Sequence, residues 1–184
     1  MFAACRLDHR TAIELDDALA PLRAVLSDQH FRWVAAENFH VTLRFFGEES
    51  SDAATEIGSL IETAARAESP FSCRTAPPMA LPSARRPSVV ALPIESNGRL
   101  ERLAATCNDA FAAPFGAPDK PFRAHVTVVR CRPGVRFRAV AAADSPIAFP
   151  FAISTVGLYE STHAAGRVRY AALYEFALGR IGRT

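Results

Sequence analysis

The sequence predicts an α+β fold, bilobal and internally duplicated, with mostly antiparallel sheets and flanking helices around a central cleft. Three observations predict it. Strand-like and helix-like segments alternate irregularly, unlike the regular succession of a doubly wound sheet. Several strand candidates read as half-buried, the pattern of antiparallel sheet with one covered face. The tripeptide His-Val-Thr occurs twice, at His40-Val41-Thr42 and His125-Val126-Thr127, each copy preceded by a helical segment.

Each element has its own warrant. Phe2 to Leu7 is an apolar strand. Thr11 to Leu26 reads as a helix, because Leu15, Leu19, Leu22 and Leu26 share one face, and Pro21 is placed to bend it. Phe31 to Val34 is a short strand, and His40 to Phe46 is a β-branched and aromatic one. Ser51 to Ala67 is an amphipathic helix with Ile57, Leu60, Ile61 and Ala64 inward. Phe71 to Thr75 and Val89 to Leu92 are strands flanking a Pro-rich stretch, Pro77 to Pro87, that reads as a surface loop. Arg85 and Arg86 in that loop are candidates to reach an anionic ligand. Ser96 is placed to cap a helix whose apolar face is Leu100, Leu103, Ala104, Cys107 and Phe111, ended by Pro114. His125 to Val129, Ile153 to Glu160 and Arg167 to Phe176 complete the strands. The two motifs lie near the same relative place in each half, so a pseudo-twofold arrangement would bring them together. No linker separates the halves, and residues 1–184 read as a single two-lobed domain.

Composition bounds the function classes. The 184 residues are 49% hydrophobic, enough for a sizeable core. The net charge is only +2, so any basic surface must be local. Cys5, Cys73, Cys107 and Cys131 are scattered without Cys-x-x-Cys spacing, which reads as free thiols rather than a zinc site or disulfide framework. No third residue shows metal-ligand spacing with the motif histidines, and no glycine-rich phosphate loop is present, so neither metal nor cofactor is expected. Met1 to Arg6 lacks the pattern of a signal peptide, and no apolar run approaches the roughly 20 residues of a membrane span. The expectation is a cytoplasmic protein with no membrane partner, and the Ala- and Arg-rich composition suggests a bacterial source.

The chemistry rests on the repeated motif. In a strand, residues i and i+2 share a face, so each copy offers an imidazole and a hydroxyl side by side. A single His-x-Thr is weak, since one histidine in an apolar strand is more often a hydrogen-bonded core residue. Two matched copies facing one cleft supply two acid/base groups and two hydroxyl donors around a small anion. Imidazole titrates near neutrality, so two of them can activate water and protonate a leaving oxygen. Thr42 and Thr127 are candidates to bind the non-bridging phosphate oxygens. Arg44 and Arg123 share the faces of the motif histidines and are candidates for substrate contacts. His9, His30 and His163 read as surface residues, the last in a hairpin turn.

The flanks of the motifs carry a family resemblance. Phe31 to Glu48, with Asn38-Phe39-His40-Val41-Thr42-Leu43-Arg44-Phe45-Phe46-Gly47 at its centre, resembles the first signature of bacterial RNA 2′,3′-cyclic phosphodiesterases. These belong to the two-histidine phosphoesterase superfamily, also called 2′-5′ RNA ligases. Phe122 to Arg130 resembles the second signature, and Gly157 to Ser161, with Gly166 and Tyr170, resembles the C-terminal strand pair. The resemblance implies catalytic His40 and His125 on neighbouring strands and metal-independent hydrolysis of an RNA or nucleoside 2′,3′-cyclic phosphate to a 2′-phosphate. It suggests His40 as acid and His125 as base, a polarity that the near-symmetry of the motifs does not fix. It also implies a complete cleft within one chain, hence a monomer, and a reverse 2′-5′ ligation direction is open. Phe45 is implied to stack on the base and Arg130 to lie near base and phosphate. Both stand five residues after a motif histidine, an odd offset, so a strand end or a bulge must intervene for them to face the cleft. Glu160 and Ser161 are candidate buttresses. The alternatives are a related enzyme acting on a small cyclic nucleotide or a 2′-5′ oligonucleotide, and a non-catalytic module that binds RNA ends.

Overall fold

The computed structural model describes residues 1–27, 29–134, 147–164 and 167–179. Its strands are β1 (Phe2–Arg6), β2 (Phe31–Trp33), β3 (His40–Phe45), β4 (Phe71–Thr75), β5 (Met79–Leu81), β6 (Val89–Glu95), β7 (His125–Cys131), β8 (Pro150–Ile153), β9 (Thr155–Ala164) and β10 (Arg167–Ala177). Its helices are α1 (His9–Ala18), α2 (Ala20–Val25), α3 (Ser51–Ala67) and α4 (Arg99–Phe115). The fold is α+β, and every strand pair among the described residues is antiparallel. The strands form one sheet in the order β10-β9-β1-β3-β7-β6-β4-β8, with β2 added to β7 and β5 to β6.

The helices follow their apolar stripes. On α3, Ile57, Ile61 and Ala64 are buried, and Leu60 is half-buried at the edge of the stripe. On α4, Leu100, Leu103, Ala104, Cys107 and Phe111 are all buried. The N-cap is Gly98 and not Ser96, which stands two residues earlier, although the Ser96 hydroxyl still accepts from the Leu100 amide at 3.0 Å. Pro114 lies inside the last turn instead of ending the helix, and Gly116 at φ 71° takes the chain out. The helix expected over 11–26 is two helices, because Leu19 closes α1 and Pro21 sits in the first turn of α2.

Two strand boundaries also differ. Met79–Leu81, inside the Pro-rich stretch, is a strand paired with Val89–Ala91. The strand expected over 153–160 is two strands broken at Ser154. β8 pairs with β4, and β9 pairs with β1 and β10. Along the sheet, β8 and β9 lie near opposite ends, yet one residue joins them. The sheet must therefore curl until those ends meet. β9 runs through His163, which is strand and not turn; Gly166 and the His163 side chain lie outside the described residues.

All four helices pack on one face of the sheet. Ala3, Cys5 and Leu7 of the first strand and its exit join Val41, Val126 and the helical leucines in one continuous core. Phe2, Ala4 and Tyr159 form a separate small cluster on the other face, with Tyr170 against it. That open face carries the motif histidines.

Candidate active site

β3 and β7 meet at Val41 opposite Val126, both fully buried. Antiparallel pairing then sets His40 opposite Thr127 and Thr42 opposite His125. All four residues project from the open face, because their neighbours Val41 and Val126 point into the core. The result is a quartet with imidazoles on one diagonal and hydroxyls on the other. Each half of the chain contributes one of each.

The same irregularity occurs beside both motifs. Against β1, Ala3 pairs with Arg44 but Ala4 pairs with Thr42, so Leu43 is an extra residue in β3. Against β6, Val90 pairs with Val129 but Ala91 pairs with Thr127, so Val128 is an extra residue in β7. Each bulge lies three residues after its histidine and shifts the alternation by one. Burial follows: Leu43 and Arg44 are both buried, as are Val128 and Val129, while Phe45 and Arg130 are exposed. The odd offset of Phe45 and Arg130 is thereby resolved, and both stand on the open face. Phe45 is 72% exposed and leans on Phe2 at 5.7 Å between ring centroids. The Arg130 guanidinium donates to the Tyr170 hydroxyl at 3.2 Å.

The bulge also corrects the expectation for Arg44. This residue does not approach the cleft. It is turned into the core, where its Nη2 donates to the carbonyls of Phe115 (2.8 Å) and Gly116 (3.0 Å) at the end of α4. Phe46 and Phe111 flank the guanidinium at 5.2 and 5.7 Å. Arg123 remains exposed just ahead of β7, and its backbone carbonyl is what touches the site.

Both histidines are held in the same way. His40 Nδ1 lies 2.6 Å from the Asn38 carbonyl, and His125 Nδ1 lies 2.7 Å from the Arg123 carbonyl. A carbonyl only accepts, so Nδ1 carries the proton in each ring and Nε2 is left for a ligand. Asn38 is itself fixed, because its side chain donates to the Val168 carbonyl at 2.9 Å. The two environments then diverge. His40 is flanked by Phe2 (centroids 5.1 Å) and by the edge-on ring of Tyr170 (5.0 Å). Burial pushes its pKa down to about 4; the Asn38 hydrogen bond opposes this, and the charges of Arg130, His125 and Arg6 add to it.

Sequence reasoning missed Phe2, Arg6, Asn38 and Tyr159, which with Tyr170 and His40 line a shallow recess. Phe2 and Arg6 come from the first strand, with Arg6 in register opposite His40. No local pattern marks them. Asn38 had a usable signal, since it precedes its histidine by two as Arg123 does. Ser161 lies in register opposite Tyr170, whereas Glu160 is on the alternate face of β9. Arg85 and Arg86 line a different groove, with Ser88, Cys131 and Pro133. His9 and His30 are exposed. All four cysteines are free, and only Cys131 is not buried. No helix among the described residues is long and apolar enough to cross a membrane.

Comparison with known proteins places this geometry. The model of the 2′-5′ RNA ligase superfamily matches residues 11–164. No curated protein sequence matches the chain significantly. A Thermus thermophilus protein of solved structure is 25% identical, with a TM-score of 0.80 over 97% of each chain. A structure described as a phosphoesterase is 26% identical, with a TM-score of 0.75 over 97% of this chain and 98% of that one. Escherichia coli LigT, solved in complex with 3′-AMP, is 26% identical, with a TM-score of 0.72 over 97% of both chains. LigT has also been solved with NADP+ and with ATP.

Proposed function

The chain belongs to the 2′-5′ RNA ligase superfamily, and from that premise we propose that it hydrolyses the 2′,3′-cyclic phosphate of an RNA or nucleoside end to a 2′-phosphate. The observation that carries this reading is the crossed quartet, with both Nδ1 protons committed to carbonyls and neither Nε2 bonded among the described residues. In-line attack on phosphorus puts the entering and leaving oxygens on opposite sides, and two imidazoles on a diagonal suit that demand. Water attacks and passes its proton to one histidine. The bond from phosphorus to the 3′ oxygen breaks, and the other histidine protonates that oxygen. The Thr42 and Thr127 hydroxyls stabilise the non-bridging oxygens as charge builds. Arg130 adds a cation to the phosphate, Phe45 offers a platform for the base, and Arg123 stands exposed at the rim. The nucleotide complexes of LigT are in keeping with a ligand of this class.

The resemblance implies His40 as acid and His125 as base. His40 rests neutral at pH 7 in the ligand-free protein, so that polarity requires it to take up a proton when the phosphate anion binds. A second reading exchanges the roles, and the burial of His40 favours it, since a neutral imidazole with a free Nε2 is a ready base.

The test is incubation with adenosine 2′,3′-cyclic phosphate in excess EDTA, with separation of the 2′ and 3′ products. The 2′ product is expected, and its formation should fall by about 100-fold or more in His40→Ala and in His125→Ala. No turnover of mononucleotide or RNA cyclic ends would sink the reading. The pH dependence of kcat/KM should be bell-shaped for either polarity, because both need one proton shared by the pair, with the limb of His40 near pH 4. A cyclic substrate with sulfur in place of the 3′ oxygen assigns the roles: that leaving group needs little protonation, so it should rescue the variant that lacks the acid and not the one that lacks the base.

A further inference from the structure

We propose that Arg32, beside Arg130, forms an anion subsite for the phosphate on the 5′ side of the reacting nucleotide. This rests on the hydrolase reading above and deepens it: the preferred substrate is a nucleotide that carries a 5′ phosphate, rather than a bare cyclic nucleoside.

The placement follows from register. In the pairing of β2 with β7, Arg32 stands directly opposite Arg130, between the pairs Phe31–Cys131 and Trp33–Val129. Directly opposed residues of an antiparallel pair share a face. The bulge at Val128 turns Arg130 to the open face, so Arg32 projects there too. Burial agrees, because Phe31 and Trp33 on either side pack against the core while Arg32 is exposed.

Two guanidinium groups face to face across a strand pair repel each other. A neutralising carboxylate is the usual remedy, and none bridges this pair among the described residues. The Arg130 side chain spends its contact on the neutral Tyr170 hydroxyl. A planar guanidinium fork matches phosphate oxygens bidentately, so with Arg130 serving the reacting phosphate, a second anion on Arg32 would relieve the repulsion of the pair.

The subsite also lies in line with the rest of the site. β2 and β3 follow one another along the same edge of β7. From one end to the other, that edge presents Thr42 opposite His125, His40 opposite Thr127, and Arg32 opposite Arg130. Phe45 lies beyond Thr42, at the far end. A nucleotide laid along this line has its base at Phe45, its cyclic phosphate at the quartet, and its 5′ phosphate at Arg32.

Three substrates separate the sources of that phosphate. They are adenosine 2′,3′-cyclic phosphate, the same compound bearing a 5′-phosphate, and an adenylyl dinucleotide with a cyclic end. Relative to the first, kcat/KM for the phosphate-bearing substrates should exceed it in the wild type. That preference should fall about tenfold in Arg32→Ala through KM, and Arg32→Lys should restore part of it. Loss with the dinucleotide assigns an internal phosphodiester, and loss confined to the 5′-phosphorylated compound assigns a terminal monoester. An unchanged preference in Arg32→Ala, or none in the wild type, overturns the proposal. If no cyclic phosphate is turned over, the hydrolase reading falls by itself. Binding of a fluorescent 5′-phosphorylated dinucleotide then still decides the subsite: Arg32→Ala should weaken it and flatten the slope of log K against log salt by about 0.7. Equal affinity and slope in the two proteins would refute it.

Discussion

His40 makes the folded protein sensitive to acid. Its folded pKa, about 4, lies below the ordinary imidazole value of 6.5. As pH falls, the unfolded chain therefore binds the proton first. The stability tied to a neutral His40 is complete above pH 6.5 and is lost between there and pH 4. The urea midpoint of the wild type should drop across that window by more than that of His40→Gln, which carries no titrating ring. Parallel curves for the two proteins would contradict the environment described for this residue. At this scale the sequence disclosed the quartet, because i and i+2 spacing needs only a strand. It also disclosed a conflict of parity at Phe45 and Arg130. It could not disclose that Arg44 would be the residue turned inward, since that depends on two carbonyls more than 70 residues away. Phe2 and Arg6 were hidden for the same reason: register between distant strands brings them to His40.

Among the elements, α4 is tied to β3 by Arg44, and the chain leaving α4 leads into His125. The guanidinium serves as a C-terminal cap supplied from the other half of the molecule. It meets the last carbonyls where the helix dipole also favours a cation. Arg44→Leu would leave the Phe115 and Gly116 carbonyls without their donor. A loss of about 2 kcal/mol in unfolding free energy by urea titration is expected. Activity should fall as well, because the end of α4 sets the start of β7. The periodic elements were the legible ones: the buried faces of α3 and α4 match the helical spacing of their apolar residues. The missed boundaries have specific causes. β5 has three residues inside a run of prolines, too few to show a period. The break at Ser154 has no glycine or proline to mark it, and it exists because the strands on either side pair with different ends of the sheet.

For the whole molecule, that break is a closure. One residue holds β8 and β9 together and so fixes how far the sheet curls around the open face. A two-glycine insertion after Ser154 leaves every strand pair available and loosens only the closure. Lengthening a short connection costs little, about 0.6 kcal/mol for each doubling, so the urea midpoint should move only slightly. KM for adenosine 2′,3′-cyclic phosphate should rise several-fold while kcat is largely kept. An unchanged KM would show that the seam of β3 and β7 shapes the cleft unaided. The duplication was legible in the repeated motif, but its wiring was not. β1 is completed by β9, with Phe2 opposite Tyr159, whereas β4, made from the middle of the chain, completes the other half. During synthesis β1 leaves the ribosome before the other strands of this sheet and is thus among the last of them to gain both neighbours. Its edge stays open while about 150 further residues are added, for roughly 8 to 30 seconds at ordinary translation rates. An unpaired apolar edge is a template for association with other chains. The newborn protein is thus open to mispairing at the strand that will carry Phe2 and Arg6 into the site.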